Sequence, residues 1–340
     1  MVLYRETDRQ LENCTFAKTV LMMIIVLYHS MLYWKNGTAA QSNAVLCGIA
    51  NWFAGFHNYC FFLISGYIYY FLRYEKNQYA YYLPFIRKKA KRLVIPAVFI
   101  GFFWVAPING YLSHYTIRDY LIKIVLACSP SHLWFLWSLF FMFVLCWPLS
   151  DFLKQHNILG LEIVGLLFVA GIVGGYFHIN VFNIFSACAH FCYFYIGFKI
   201  REYRVSLGRF TLIAGIILYT VMIVVKLVIP KNGVTFMAVN ELLELFYKVI
   251  GSITAFFVLQ YIAERVRWKE SSAFSFISRR AMPIYLFHQQ ITHLSQHFLN
   301  GHMNPYVNVL LNFAFSISLG IVLSSLMMRH KATRYLIGEQ

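Results

Sequence analysis

Apolar runs long enough to cross a bilayer recur along the whole chain, at about 15–34, 46–72, 93–110, 133–149, 158–177, 181–198, 210–229, 240–262, 281–298 and 306–328. A helix inside such a run satisfies its own backbone hydrogen bonds, which lipid cannot do. The pattern therefore predicts an all-α, polytopic membrane bundle of about ten helices, with residues 1–340 forming a single domain. The third and fourth runs are short, and the segment between them, YLSHYTIRDYLIKIVLACSPS (111–131), reads as an amphipathic or re-entrant piece outside the main bundle. No small-residue cleavage site follows the first run, so that run is expected to stay in the membrane as a helix.

Composition sharpens this picture. Hydrophobic residues make up 60% of the chain and charged ones 12%, against roughly 25% charged in soluble domains. The net charge of +16 would suit a nucleic-acid partner only on a water-facing basic domain, and the sequence contains none, so no nucleic acid is expected. The placement of the cations explains the charge instead. With the N-terminus inside, inner segments hold 23 Lys and Arg. Outer segments hold five, Lys35, Arg118, Lys123, Lys226 and Lys231, while Lys248 falls inside the eighth run. Positive residues stay on the cytoplasmic side, so both termini are expected there. The seven cysteines lie mostly within apolar runs and imply no disulfide framework. CAHFC (188–192) places two thiols on one helix face, but no complementary ligand cluster accompanies it, and no metal is expected.

An ionisable side chain at membrane depth is costly, which makes each one a candidate for function. In KTVLMMIIVLYHS (18–30), ten residues separate Lys18 from His29, a helical rise of roughly 16 Å. His29 can be bonded to a neighbouring helix or can serve chemistry, and the residue alone does not choose. Lys18, at the expected cytoplasmic start of this helix, can snorkel. On the second run, Ser65 and Gly66 suit close helix packing. PFIRKKAKRLVIP puts five basic residues within six positions, Arg87 to Arg92. Such a cluster can stop transfer, but Lys89 and Arg92, spaced i, i+3, also suit a phosphate clamp. SHLWFLWSLFF carries His132 and Trp134 at an outer interface. AMPIYLFHQQITHLSQH holds His288, Gln289, Gln290, His293 and His297 in one span, a density that points to a wet cavity.

In this order and spacing, the pieces resemble the acyltransferase 3 family of integral membrane acyltransferases, which act mostly on bacterial surface carbohydrates. The resemblance rests on Lys18 and His29 in the first run, FFLISGY in the second, the basic pair before RLVIP, and HLWFL followed much later by IYLFH. It implies that His29 is the essential histidine, and that Lys89 and Arg92, with Lys88 nearby, hold the phosphates of acetyl-CoA. Read as residues beside that site, Lys18 is expected to support the cytoplasmic mouth, and Ser65, His132, Trp134 and His288 are expected to serve the substrates. Lys18 stands where the family usually has arginine, which keeps the charge without the bidentate fork. WSLFFMFVLCWPL lacks the acidic residues of another branch of the family.

The activity so implied is O-acetyl transfer from cytoplasmic acetyl-CoA to a hydroxyl of a surface polysaccharide or its lipid-linked precursor, by a multi-pass protein of the bacterial cytoplasmic membrane. His29 would act as general base, or as a transient acyl carrier. The alternative from another class is a transporter or flippase that uses midplane His and Gln residues as a substrate path. Against it, the chain has no matching pair of Gly/Pro-broken helices in two halves.

Overall fold

A computed structural model of the chain describes residues 2–32, 43–112, 116–128, 131–178, 180–228 and 234–339. Lys35, Lys231 and the 33–34 end of the first expected span lie outside them. Among the described residues there are helices and no strands, and 85% of those residues are helical. In chain order the helices are α1 (Val2–Met31), α2 (Ala44–Ala54), α3 (His57–Tyr70), α4 (Tyr82–Ile100), α5 (Ala106–Leu112), α6 (Ile117–Val125), α7 (Trp134–Gln155) and α8 (Asn157–Tyr176). They continue as α9 (Ile184–Glu202), α10 (Arg209–Val228), α11 (Val234–Ala263), α12 (Ser272–Ser278), α13 (Ala281–Leu299), α14 (Pro305–Met327) and α15 (Lys331–Leu336).

Eight segments among the described residues are long and apolar enough to span a bilayer: 10–31, 82–112, 131–155, 157–176, 181–202, 209–226, 239–263 and 305–327. Large apolar side chains point outward along them, for example Leu161 and Leu166 on α8, Ile217 and Val221 on α10, and Leu310 and Val322 on α14. Exposed apolar surface on this scale fits a lipid-facing bundle.

The remaining two expected spans fall outside that set, for physical reasons. Residues 46–72 do not form one helix, because the chain breaks at Gly55 and Phe56 between α2 and α3. The Tyr219 hydroxyl of α10 donates to the Trp52 carbonyl, the acceptor that Phe56 N–H would use in a continuous helix. Phe56 N–H turns instead to Phe53 O at 3.2 Å. Gly55 makes the approach possible, since a Cβ there would lie 2.3 Å from the Tyr219 hydroxyl. The other segment, α13, carries its polar residues inward: His288, Gln290, Thr292, His293 and Gln296 are all buried.

Two further expectations change. The third span begins at Tyr82 rather than residue 93, so the basic cluster lies within the helix instead of preceding it. Pro84 sits in its first turn, where a missing N–H costs nothing. Pro96, deeper in the helix, leaves the Arg92 carbonyl without its i+4 donor. The chain's end closes over that carbonyl at Gly338, whose φ of +76° and 2.7 Å clearance for a Cβ both call for glycine. Likewise α1 starts at Val2, with its membrane-length stretch from Gln10, so Lys18 lies about 12 Å inside that stretch rather than at its start. The amphipathic expectation for 111–131 agrees with α6, a short helix whose first turn is capped by Thr116.

Helices α3 and α9 cross at two reciprocal glycines. A Cβ on Gly66 would lie 1.9 Å from the Phe194 carbonyl, and one on Gly197 would lie 1.8 Å from the Leu63 carbonyl. Backbone contact of this kind packs helices where lipid supplies no hydrophobic drive. Below the crossing, α3 widens into a π-helical turn, Phe71–Glu75, that carries two ionic clasps. Arg201 of α9, only 6% exposed, holds Glu75 through Nε at 2.6 Å and Nη2 at 2.5 Å. Arg73 and Tyr74 both donate to Asp151 of α7, at 2.9 and 2.6 Å.

Candidate active site

The bundle has chemically different ends. At one, Lys18, Lys89 and Arg92 lie within electrostatic reach of one another. Lys88 and Arg92 are exposed, whereas Lys89 is half-buried, with its ammonium 3.8 Å from the Phe143 ring centre and 5.1 and 5.4 Å from those of Tyr79 and Phe85. Cation–π contacts of this kind fix the lysine stem and charge between α4 and α7. The expected i, i+3 pair is therefore one held cation beside one free to reach a ligand.

Toward the other end, His29 meets α13. The imidazoles of His29 and His288 are joined from Nδ1 of the first to Nε2 of the second at 2.8 Å, and His288 is fully buried. A carbonyl can only accept, so the 2.6 Å contact from His288 Nδ1 to Tyr285 O places a proton on that nitrogen. In neutral His288 the lone pair is then on Nε2, and His29 Nδ1–H must be the donor to it. The order of protons leaves His29 Nε2 with a free lone pair, which is the form a general base needs.

The remaining bonds hold this pair rigid. His132 Nε2–H donates to Leu286 O at 3.0 Å, its backbone N–H donates to Gln289 Oε1 at 2.8 Å, and its carbonyl accepts from the Tyr285 hydroxyl at 2.6 Å. Its ring meets that of His288 edge-on, with centroids 5.1 Å apart. Ser131 Oγ–H also donates to Gln289 Oε1, at 2.9 Å. On the far side, Gln296 donates to Ser30 O at 3.1 Å and ties α13 to the end of α1. The polar density of α13 is thus mostly spent on positioning.

Of the residues singled out from the sequence, the structure brings His29, His132 and His288 together. Ser65 is not with them: it donates to Phe61 O at 2.8 Å in its own helix, about 12 Å along α3 from His57. Trp134 lies beside His190, with ring centres 5.6 Å apart and planes tilted by 43°, and Tyr59 meets the same His190 ring. Lys18, Lys88, Lys89 and Arg92 form the separate basic end.

Sequence reasoning passed over His57, which heads α3 and lies within electrostatic reach of His29. It counted Lys226 and Lys248 toward topology alone and passed over Glu244, which joins them. Glu244 and Lys248, at i, i+4 in an apolar helix, were the available signal.

Neither the curated proteins nor the solved structures contain a match to this chain. Its likeness is to a family model: residues 13–329, nearly the whole length, match that of the acyltransferase domain. The match covers both the basic end and the histidine pair, within a bundle whose helices are suited to lipid, and so the chain belongs to the acyltransferase 3 family and is a membrane acyltransferase.

Proposed function

We propose that the protein is an O-acetyltransferase that moves an acetyl group from cytoplasmic acetyl-CoA to a hydroxyl of a surface polysaccharide or its lipid-linked precursor, in a bacterial cytoplasmic membrane. The observation that carries the reading is the proton order at the His29–His288 pair, which leaves a basic nitrogen on a histidine about 16 Å from Lys18. Family membership favours transfer over transport, and the excess of cations on one side orients the basic end toward the cytoplasm.

In this mechanism Arg92 and Lys89, with Lys88 at the rim, bind the CoA phosphates, and Lys18 keeps the mouth of the passage positive. The pantetheine arm bridges the distance to His29. His29 Nε2 takes the proton of the acceptor hydroxyl as its oxygen attacks the thioester carbonyl. The tetrahedral intermediate collapses with cleavage of the C–S bond, CoA leaves as thiolate, and the imidazolium returns the proton to sulfur. The products are the O-acetyl ester and CoA–SH. His288 accepts from Nδ1–H throughout and steadies the transient imidazolium.

The test of the donor is CoA binding to the protein in nanodiscs. Lys89→Gln/Arg92→Gln should weaken acetyl-CoA binding by about 10- to 100-fold, as expected for lost charged hydrogen bonds. Unchanged affinity would exclude the clamp. The acceptor is tested by mass spectrometry of surface glycans from cells with and without the gene, where loss of an acetyl group is expected; identical glycans would overturn the acceptor class.

A further inference from the structure

Beyond Tyr28, on the same side of the bundle as His29, a cavity of about 420 Å³ opens between α1, α2, α3, α10 and α11. This size falls in the range of small-molecule sites, roughly 300–1,000 Å³, and its walls are mostly polar. It lies one ring from the histidine pair: the Tyr28 ring is 5.2 Å from that of His29 and 4.7 Å from that of His57.

Among the described residues that line it, two are cations, Lys226 and Lys248, and none is a carboxylate. Glu244 lies behind them, on the wall of a neighbouring smaller cavity that Glu241 also lines. Glu244 holds both ammonium groups, Lys248 through Oε2 at 2.5 Å and Lys226 through Oε1. Lys248 is also 5.2 Å from the Tyr59 ring centre, and Lys226 donates to the Tyr247 hydroxyl at 3.3 Å. One carboxylate thus fixes two positive groups at the edge of a hydroxyl- and amide-lined space.

His57 supplies an independent observation. It is 2% exposed, and its Nδ1–H donates to Phe53 O at 2.7 Å, which leaves Nε2 as an acceptor. That nitrogen is buried and has no partner among the described residues. A buried acceptor of this kind normally finds a donor, and a ligand hydroxyl would provide one.

We infer that this cavity binds the acceptor substrate, and that the acceptor is an anionic carbohydrate whose carboxylate or phosphate lies between Lys226 and Lys248 while its hydroxyls meet Asn51, Asn58 and His57. The inference rests on the acyl-transfer reading for its role, but the binding preference it predicts does not. The anion fixes the sugar's orientation, and Tyr28, whose ring is 5.2 Å from that of His29, forms part of the cavity wall. Neutral sugars make the same hydroxyl contacts and lack the anchor.

The experiment measures binding to the full chain in nanodiscs of three probes: trigalacturonate, a maltotriose phosphate and unmodified maltotriose. One or both anionic probes should bind at least about tenfold tighter than maltotriose, and which one does identifies carboxylate or phosphate as the anchor. Lys226→Gln/Glu244→Gln/Lys248→Gln removes all three charges without stranding any, and should bring the anionic probes to the maltotriose level. Lys226→Arg/Lys248→Arg keeps the charges and should keep the preference. Acetyl-CoA affinity, which reports the other end of the bundle, serves as the folding control. Equal binding of the three probes, no binding of either anionic probe, or a preference that survives the triple substitution overturns the inference. Failure of the acyl-transfer reading is seen separately, as absence of acetyl-CoA binding or of transfer while the anionic preference persists.

Discussion

Replacing His288 by leucine keeps a side chain of similar bulk in a fully buried position and removes the acceptor of the 2.8 Å bond from His29 Nδ1–H. In the resting enzyme that bond joins two neutral rings and contributes about 0.5–1.5 kcal/mol. As His29 takes the acceptor's proton it becomes cationic, and a hydrogen bond from a charged donor contributes about 1.5–3 kcal/mol. The part present only in the transition state, about 1–1.5 kcal/mol, lowers the barrier, so at about 1.36 kcal/mol per decade the loss in kcat is about 5- to 13-fold. His288→Gln retains an acceptor oxygen and should recover much of this, which a purely packing role would not predict. The assay is transfer of radiolabelled acetyl from acetyl-CoA to glycan by the protein in nanodiscs, with kcat and the KM for acetyl-CoA fitted separately. Full kcat in His288→Leu, or equal damage in both variants with the loss confined to KM, would refute the positioning role.

Other regions make independent predictions. Gly66→Ala drives a methyl into the Phe194 carbonyl, and overpacking of about 1–3 kcal/mol or more should lower the thermal unfolding temperature; an unchanged transition would contradict the backbone crossing. Glu75→Ala leaves the Arg201 guanidinium buried without its carboxylate and should destabilise the bundle by about 3 kcal/mol, read by denaturant or heat, with no loss if the clasp is merely a surface pair. Burial raises the pKa of the Glu339 carboxyl, more than Arg92 and Arg334 lower it. A carboxyl raised in the folded state favours folding below its unfolded pKa and loses that advantage as pH rises through the raised value. Glu339→Gln should therefore raise the unfolding temperature at pH 7.5 and leave it unchanged near pH 4; the opposite pattern would mean that the ion pairs dominate.

Much of the bundle was legible because a lipid-spanning helix leaves a long apolar run whatever it packs against. His29 was legible for the same reason, as an exception inside such a run. The break at Gly55 was not, since it depends on a hydroxyl of Tyr219 from α10 taking a carbonyl on α2. Nor was the partner of His29, which lies 259 residues away on α13. The basic cluster looked like a flank because cations usually end a span, yet Lys89 is carried within the helix by aromatic rings from α7 and the preceding turn. His57 went unnoticed because a histidine after a glycine-broken stretch resembles an interfacial residue until Tyr28 and the cavity stand beside it. Ser65 drew attention through its motif, whereas its neighbour Gly66 makes the tight contact.

The central claim is that His29 Nε2 takes the acceptor's proton. Its most direct test is single-turnover acetyl transfer by His29→Ala in nanodiscs preloaded with acetyl-CoA, so that donor binding is measured in the same sample. Transfer should fall by about 10²- to 10⁴-fold with acetyl-CoA affinity unchanged. Wild-type transfer by His29→Ala would contradict the account.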